Sequence, residues 1–140
     1  MSPDTQQEID DLIEEFSFLG DWEERYRYLI DLGQALPSLH ENEKTDLNKV
    51  KGCTSRVWLN VDPPENGRFL FRADSDAHIV KGLAALLVRL YSNRRHDDIA
   101  EIDARDVLTR IGLSEHLSPQ RSNGLNAMIA RIRREAGVTA

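Results

Sequence analysis

The sequence contains a single cysteine, Cys53, among 140 residues. One thiol cannot close an internal disulfide or complete a multi-thiolate metal site. Histidines are also few, and none of the four pairs with another at the spacing of metal ligands: His40, His78, His96 and His116. No glycine-rich phosphate loop follows a strand pattern. We therefore expect no bound metal and no cofactor, and a lone cysteine fits most simply with a reducing, cytoplasmic compartment.

Long apolar runs and an excess of positive charge are absent as well. The most apolar window, residues 79–90, is interrupted by Lys81 and Arg89, so it does not predict a membrane span. Residues 1–8 are acidic and polar and lack the features of a secretory signal or a transit peptide. The net charge of −6 disfavours nucleic-acid binding, which relies on clustered Lys and Arg. The sequence thus predicts neither a membrane nor a nucleic acid as partner.

The length and the order of the patterns indicate the architecture. A chain of 140 residues with 40% apolar content is expected to form one domain over residues 1–140. Helical patterns come first, strand patterns follow, and helical patterns return. This order predicts the α+β class rather than a doubly wound sheet.

The first third of the chain predicts two helices. Residues 5–18 carry apolar side chains at helical spacing. A second helix is expected to begin after Asp21 as N-cap and to end before Pro37. Trp22 and Tyr26 fall on its apolar face, and we expect both to lie in the core.

Two strand patterns follow. Residues 55–61 and 68–72 alternate in polarity and predict an antiparallel pair. The two prolines and the Asn-Gly pair in residues 62–67 predict a connecting loop. A short strand over residues 49–51 is expected to complete the sheet.

The second half predicts several helices. Residues 74–76 offer helix caps, and residues 79–90 predict the most apolar helix, which we expect to lie on the sheet. Residues 92–98 predict a loop, and residues 99–112 short helical pieces. Ser118, followed by a proline, predicts the start of the last helix.

The last turns of that helix carry three arginines: Arg131, Arg133 and Arg134. Cations at this end complement the negative end of the helix dipole. We interpret them in that role rather than as a binding patch.

Cys53 stands at the junction between a loop and the first strand. Gly52 suits a tight turn that presents the next side chain. Lys51 and Arg56 make the neighbourhood cationic, which favours a thiolate. An inert, buried cysteine is the other interpretation, because free cysteine is among the most buried residue types. The residues alone leave both open.

The segment Gly52-Cys53-x-Ser55-x-Val57-Trp58 is one of four distinctive sequence blocks, and the other three lie within residues 22–37, 74–83 and 117–125. These four blocks, in this order, resemble the SufE family, whose members accept sulfur from cysteine desulfurases. The first resembles the family's cysteine-loop signature. Together they cover most of the chain, from about Glu8 to Arg134. One block would be a weak signal, and four are a strong one.

The resemblance implies a fold and a function. The fold would be a small antiparallel sheet of about three strands packed against several helices, as in SufE and IscU-like scaffold proteins. Cys53 would take persulfide sulfur from a cysteine desulfurase of the SufS or CsdA type, and the protein would stimulate that enzyme. The sulfur would then pass to an iron–sulfur scaffold of the SufBCD type. The chain would be a carrier rather than an enzyme, and pyridoxal phosphate would reside on the desulfurase.

The resemblance also implies roles for individual residues. Gly52 and Ser55 belong to the cysteine loop, and Trp58 is expected to line an apolar pocket beneath it with residues of the helix at 79–90. Asp74 lies in a turn expected near the loop, where it either caps a helix or contacts the partner. Arg121 is expected to bind carbonyls near the loop or the partner itself.

Two functions of other classes are compatible with a lone cysteine. A cysteine-dependent hydrolase would need a histidine hydrogen-bonded to the thiol, and His78 and His116 are the candidates. A non-catalytic binding module would keep Cys53 inert.

Overall fold

The computed structural model describes residues 1–138, which form helices around a small sheet. In chain order the elements are α1 (Pro3–Ser17), α2 (Trp22–Ala35), β1 (Val57–Glu65), β2 (Arg68–Ser75), α3 (His78–Tyr91), β3 (Arg94–Arg95), α4 (His96–Glu101), α5 (Ala104–Arg110) and α6 (Pro119–Glu135). Single 3₁₀ turns lie at Glu41–Glu43 and Ser114–His116. The sheet is antiparallel in the order β1-β2-β3. The predicted α+β class is confirmed.

Helix α2 begins at the expected cap. The Asp21 carboxylate accepts a hydrogen bond from the Glu24 amide at 2.9 Å, and the helix ends before Pro37. Trp22, however, is 45% exposed and Tyr26 is only half-buried, so the core position predicted for Trp22 is wrong. Trp22 is the first residue of the helix, and its ring lies outside the core, where it stacks on His116 with ring centroids 5.5 Å apart.

Strand β1 is longer than its sequence pattern indicates. It runs to Glu65 through Pro63 and Pro64, so the loop predicted for residues 62–67 is wrong. Proline is tolerated because both residues fall at the register shift between Asp62 and Glu65, where neither pairs with β2, and β1 is an edge strand of the sheet. The reversal itself occurs at Asn66 and Gly67, both with positive φ.

The third strand lies at the other edge of the sheet. Residues 49–51 form only an isolated bridge, between Lys49 and Trp58. Arg94–Arg95 pairs with β2 instead, inside the segment predicted as a loop. Asn93, with φ of 63°, reverses the chain after α3 and donates to the Phe69 carbonyl at 2.7 Å, which aligns the short strand.

Helix α3 packs on the sheet as predicted. Its buried side chains include four leucines that are each about 1% exposed: Leu83, Leu86, Leu87 and Leu90. The predicted caps at residues 74–76 are not observed, because Asp74 and Ser75 end β2 and the N-cap is Ala77. Pairing with β1 extends β2 through those two residues.

The last helix begins as expected. The Ser118 hydroxyl accepts from the Arg121 amide at 3.2 Å. Leu125, Met128 and Ile132 point into the core. Two of the three arginines near the end of α6 do more than complement its dipole. Arg131 and Arg133 donate hydrogen bonds to backbone carbonyls of other segments. No helix within residues 1–138 is long and apolar enough to cross a membrane.

Helices α2 and α3 approach so closely that only glycine fits between them. A Cβ added at Gly82 would lie 2.3 Å from the Leu29 carbonyl oxygen. A Cβ at Gly33 would lie 2.7 Å from the Gly82 amide nitrogen. Each glycine therefore faces the backbone of the opposite helix, which cannot move aside as a side chain would.

We expect Gly82→Ala to lower the free energy of unfolding by about 3 kcal/mol, because the added methyl group forces the two helices apart. Urea denaturation followed by circular dichroism measures this. Gly20→Ala is the matched control, since its nearest neighbour would be the flexible end of Glu24 at 3.5 Å. Equal losses in the two variants would contradict the close packing.

Candidate functional site around Cys53

The cysteine loop, residues 51–56, lies between Val50 and the start of β1. The Val50 amide donates to the Val57 carbonyl at 2.8 Å, which closes the base of the loop. Gly52 has φ of +91°, a conformation that side chains disfavour. A Cβ there would also lie 3.3 Å from the Ala127 Cβ, so the loop rests against α6.

The thiol of Cys53 is half-buried against α6. Its Sγ lies 3.5 Å from the Gly124 carbonyl oxygen, to which the thiol donates a weak hydrogen bond. Gly124 has no side chain, and a Cβ there would touch Sγ at 3.5 Å. The resting thiol therefore sits on bare helix backbone.

A cavity of about 300 Å³ adjoins the thiol. Its apolar wall comes from α3 and α6: Val80, Leu83, Leu125 and Met128. Its polar rim comes from the loop and the start of α6: Thr54, Ser55, Ser118, Gln120 and Arg121. The sequence-based prediction that α3 contributes to this pocket agrees with the structure, and Ser55 and Arg121 lie at its rim.

Trp58 does not line this cavity, which corrects the prediction made for it. Its side chain is 9% exposed, and the Lys44 ammonium lies 5.2 Å from its ring centroid. Trp58 points to the opposite face of β1 from Val57 and Leu59, because successive strand residues alternate faces.

Asp76 fastens the second end of the loop, a role that sequence reasoning missed. Its carboxylate accepts from the Arg56 amide at 3.1 Å, and its own amide donates to the Arg56 carbonyl at 3.3 Å. The Ser75 hydroxyl donates to the same carbonyl at 2.8 Å. Helix-capping residue types were recognised here, but not the segment that they bind.

Asp74 is a buried anchor rather than a surface group. Its carboxylate accepts from the Leu39 amide at 3.0 Å and lies 3.3 Å from the Lys81 ammonium and 3.7 Å from that of Lys44. The residue is 3% exposed. A buried carboxylate does not present itself to a partner, so both roles expected for Asp74 are replaced by an internal one.

The electrostatics of the site favour a neutral thiol. Burial raises the pKa of the Cys53 thiol, because desolvation disfavours the charged form. The cationic activation expected from the sequence is not observed: burial is what shifts the pKa of the Cys53 thiol, and the Arg56 guanidinium lies 3.6 Å from the Asp76 carboxylate. Cys53 is therefore a protonated, weakly nucleophilic thiol in the resting protein.

Neither candidate histidine of a hydrolase lies at the thiol. His116 stacks on Trp22, and His78 lines a separate pocket with Asp76 and Lys81. The residues that line the Cys53 cavity, all within the described part of the chain, include no histidine. Residues 1–138 also contain no group of three or more His, Cys, Asp or Glu arranged to hold a metal ion.

The fold and the site together define a class: a small α+β protein that presents one half-buried thiol, on a glycine turn, beside a cavity with one apolar wall. A sequence model of the SufE family, described as an Fe-S metabolism associated domain, matches residues 10–136. The chain belongs to the SufE family and is thereby associated with iron–sulfur metabolism.

Relatives from two rhizobia agree with this membership. An uncharacterised SufE-like protein of Rhizobium etli is 52% identical over 135 residues, covering 94% of this chain and 91% of its own. An uncharacterised SufE-like protein of Rhizobium meliloti is 48% identical over 131 residues, covering 91% and 94%.

A solution structure supports the fold alone. A hypothetical protein from Thermus thermophilus superposes with a TM-score of 0.75 at 22% identity, covering 93% of each chain.

We expect alkylation of Cys53 in the native protein to keep rising with pH beyond the point at which an exposed thiol levels off. The reason is that burial raises the pKa of this thiol, and only the thiolate reacts. Iodoacetamide rates measured across the alkaline range test this. The same protein unfolded in urea is the control, and coincident profiles would show that burial does not perturb the thiol.

Proposed function

We propose that Cys53 accepts sulfur from the persulfide of a cysteine desulfurase, and that the protein passes this sulfur on for iron–sulfur cluster assembly. The observation that carries the proposal is the position of the chain's sole thiol, on a loop beside a cavity with an apolar wall. Family membership supports the link to iron–sulfur metabolism. The chain acts as a carrier and as an activator of the desulfurase, not as an enzyme in its own right.

The transfer step resembles thiol–disulfide exchange. The Cys53 thiolate attacks the outer sulfur of the desulfurase persulfide. A new S–S bond forms on Cys53 while the S–S bond on the desulfurase breaks and its cysteine leaves as a thiolate. The proton lost by Cys53 can be taken up by that thiolate, so the exchange is balanced without an added oxidant or reductant. Pyridoxal phosphate is needed only on the desulfurase, to release sulfur from free cysteine.

The cavity suits the storage of a persulfide. Sulfur added to Sγ extends the side chain by one atom, and the apolar wall formed by α3 and α6 lies beside it. Exclusion of water-borne reductants there would slow the loss of the sulfur. The raised pKa protects the free thiol before loading, since a neutral thiol reacts little with small molecules until the partner binds.

Transfer requires the loop to leave α6. A thiol that rests on the Gly124 carbonyl cannot enter the active site of another protein without moving outward. The hydrogen bonds of Val50 and Asp76 fix the two ends of the loop, so residues 51–55 form the segment that can move. The desulfurase is expected to bind the loop in its extended position.

Arg121 is the rim residue best suited to contact the desulfurase. Its side chain is exposed at the mouth of the cavity, and no described residue pairs with its guanidinium. A cation in the first turn of a helix opposes the helix dipole, which points to a partner outside the chain. The desulfurase would be of the SufS or CsdA type, the recipient a SufBCD-type scaffold, and the compartment the cytoplasm.

The direct test is the mass of the protein after reaction. Incubated with a cysteine desulfurase, its pyridoxal phosphate and free cysteine, the wild-type protein should gain the mass of one sulfur atom, and a reductant should remove it. Intact-protein mass spectrometry measures both. Cys53→Ser should gain none, because a hydroxyl stays protonated and has no comparable nucleophilicity toward sulfur.

The serine variant also serves as the folding control, since the swap exchanges two small side chains and should change stability only modestly. It should still bind the desulfurase through its surface. Wild-type protein that acquires no sulfur from desulfurases of either type would rule out the relay.

A second test separates partner contact from folding. Arg121→Glu should weaken the stimulation of desulfurase turnover while leaving the melting temperature nearly unchanged, because the residue is exposed. Asp74→Ala should instead lower the free energy of unfolding by about 3 kcal/mol, because it leaves two half-buried lysines without their shared carboxylate. Unchanged stimulation by Arg121→Glu would remove Arg121 from the partner surface.

A further inference from the structure

The segment that leads into the cysteine loop lies along one face of α6. We call residues 45–50 the leader. The leader and the loop meet α6 at three positions spaced three or four residues apart, as neighbours on one helical face are: Gly124, Ala127 and Arg131. The thiol rests on the first of them, and the leader is held at the third.

Arg131 makes the strongest of these contacts. Its guanidinium donates to the Leu47 carbonyl at 2.6 Å and to the Lys49 carbonyl at 3.3 Å. Glu135, one turn further along α6, accepts from its Nε at 2.9 Å and so fixes the orientation of the fork. The Arg131 side chain is only 16% exposed, and hydrogen bonds from a charged donor are stronger than neutral ones.

The leader is attached to the sheet independently of Arg131. The Leu59 amide donates to the Asn48 carbonyl at 2.8 Å, and the Val50 amide donates to the Val57 carbonyl at 2.8 Å. These bonds keep the leader on β1 whatever happens at α6. Arg131 therefore joins two separate bodies, the sheet edge with its leader and helix α6.

We propose that Arg131 is a positioning residue for Cys53: it holds the leader against α6 and so sets how readily the thiol leaves the Gly124 carbonyl. This deepens the proposed function and rests on it, because a positioned thiol matters only where Cys53 carries sulfur. With Arg131 in place, the glycine turn stays in contact with Ala127 and Cys53 stays on α6. Without it, the loop opens more often while the rest of the fold is kept.

The test compares three variants under native conditions. Arg131→Gln removes the charge and the fork, Arg131→Lys keeps the charge but can reach fewer carbonyls, and Arg134→Gln is the matched control. Arg134 is exposed and lines the same groove beside the leader, but no described residue bonds to its guanidinium. Alkylation of Cys53 by iodoacetamide at one fixed pH should be about tenfold faster in Arg131→Gln than in wild type, which corresponds to the net loss of about one hydrogen bond. Arg131→Lys should lie between them, and Arg134→Gln should match wild type.

The urea dependence of the alkylation rate separates positioning from general destabilisation. A loop that opens locally exposes little new surface, so the extra reactivity of Arg131→Gln should hardly change at low urea. If the extra alkylation rate of Arg131→Gln instead rises with urea as steeply as global unfolding does, Arg131 stabilises the whole fold, and the proposal is overturned. A rate equal to that of wild type would overturn it as well.

Sulfur loading distinguishes this proposal from the proposed function. Faster alkylation of Arg131→Gln with no sulfur accepted by any of the proteins would support the positioning role and reject the relay. Sulfur accepted at Cys53 with equal alkylation rates would support the relay and reject the positioning role.

Discussion

The burial of α3 between the sheet and α2 is the contact on which the rest of the structure depends. On one side α3 covers β2, and on the other it meets α2 through a backbone approach that only Gly33 and Gly82 permit. The same helix supplies Val80 and Leu83 to the wall of the Cys53 cavity. Its lysine, Lys81, pairs with the buried Asp74 at the end of β2. The position of α3 therefore determines both the core and the space beside the thiol.

Cys53 combines shielding with access. Burial raises the pKa of its thiol, and the Gly124 carbonyl holds it on α6, so the resting protein exposes little thiolate. The proposed transfer of sulfur needs the opposite property, an accessible thiolate, at the moment of reaction. A short loop whose two ends are fixed meets both requirements, because only residues 51–55 would have to move for the thiol to become accessible. The cost of opening is then local and leaves the core intact.

Several residues show why sequence patterns stop short of function. The Asp-Ser-Asp run before α3 has the residue types of a helix cap, yet Asp74 and Ser75 extend a strand and Asp76 binds the cysteine loop. Capping and loop anchoring use the same hydrogen bonds, so the residue types alone do not distinguish them. Trp58 is the last residue of the cysteine motif, but the alternation of side chains along β1 turns it to the face opposite Val57 and Leu59. Arg131 has the position of a dipole partner, and its contact with the leader spans more than 80 residues.

The sequence by itself determined the α+β class, the main helices and the turn that presents Cys53, because periodicity, caps and glycine are local signals. Its motifs also indicated the SufE family, which the family match confirmed. Only the tertiary structure decided the third strand, the protonated state of the resting thiol and the residues that hold its loop. Those properties come from segments that are separated in the chain. Strand β3 pairs with β2 although α3 lies between them in the sequence, and α6 supplies the backbone on which Cys53 rests. Burial and pairing over such distances depend on packing, and no local pattern encodes them.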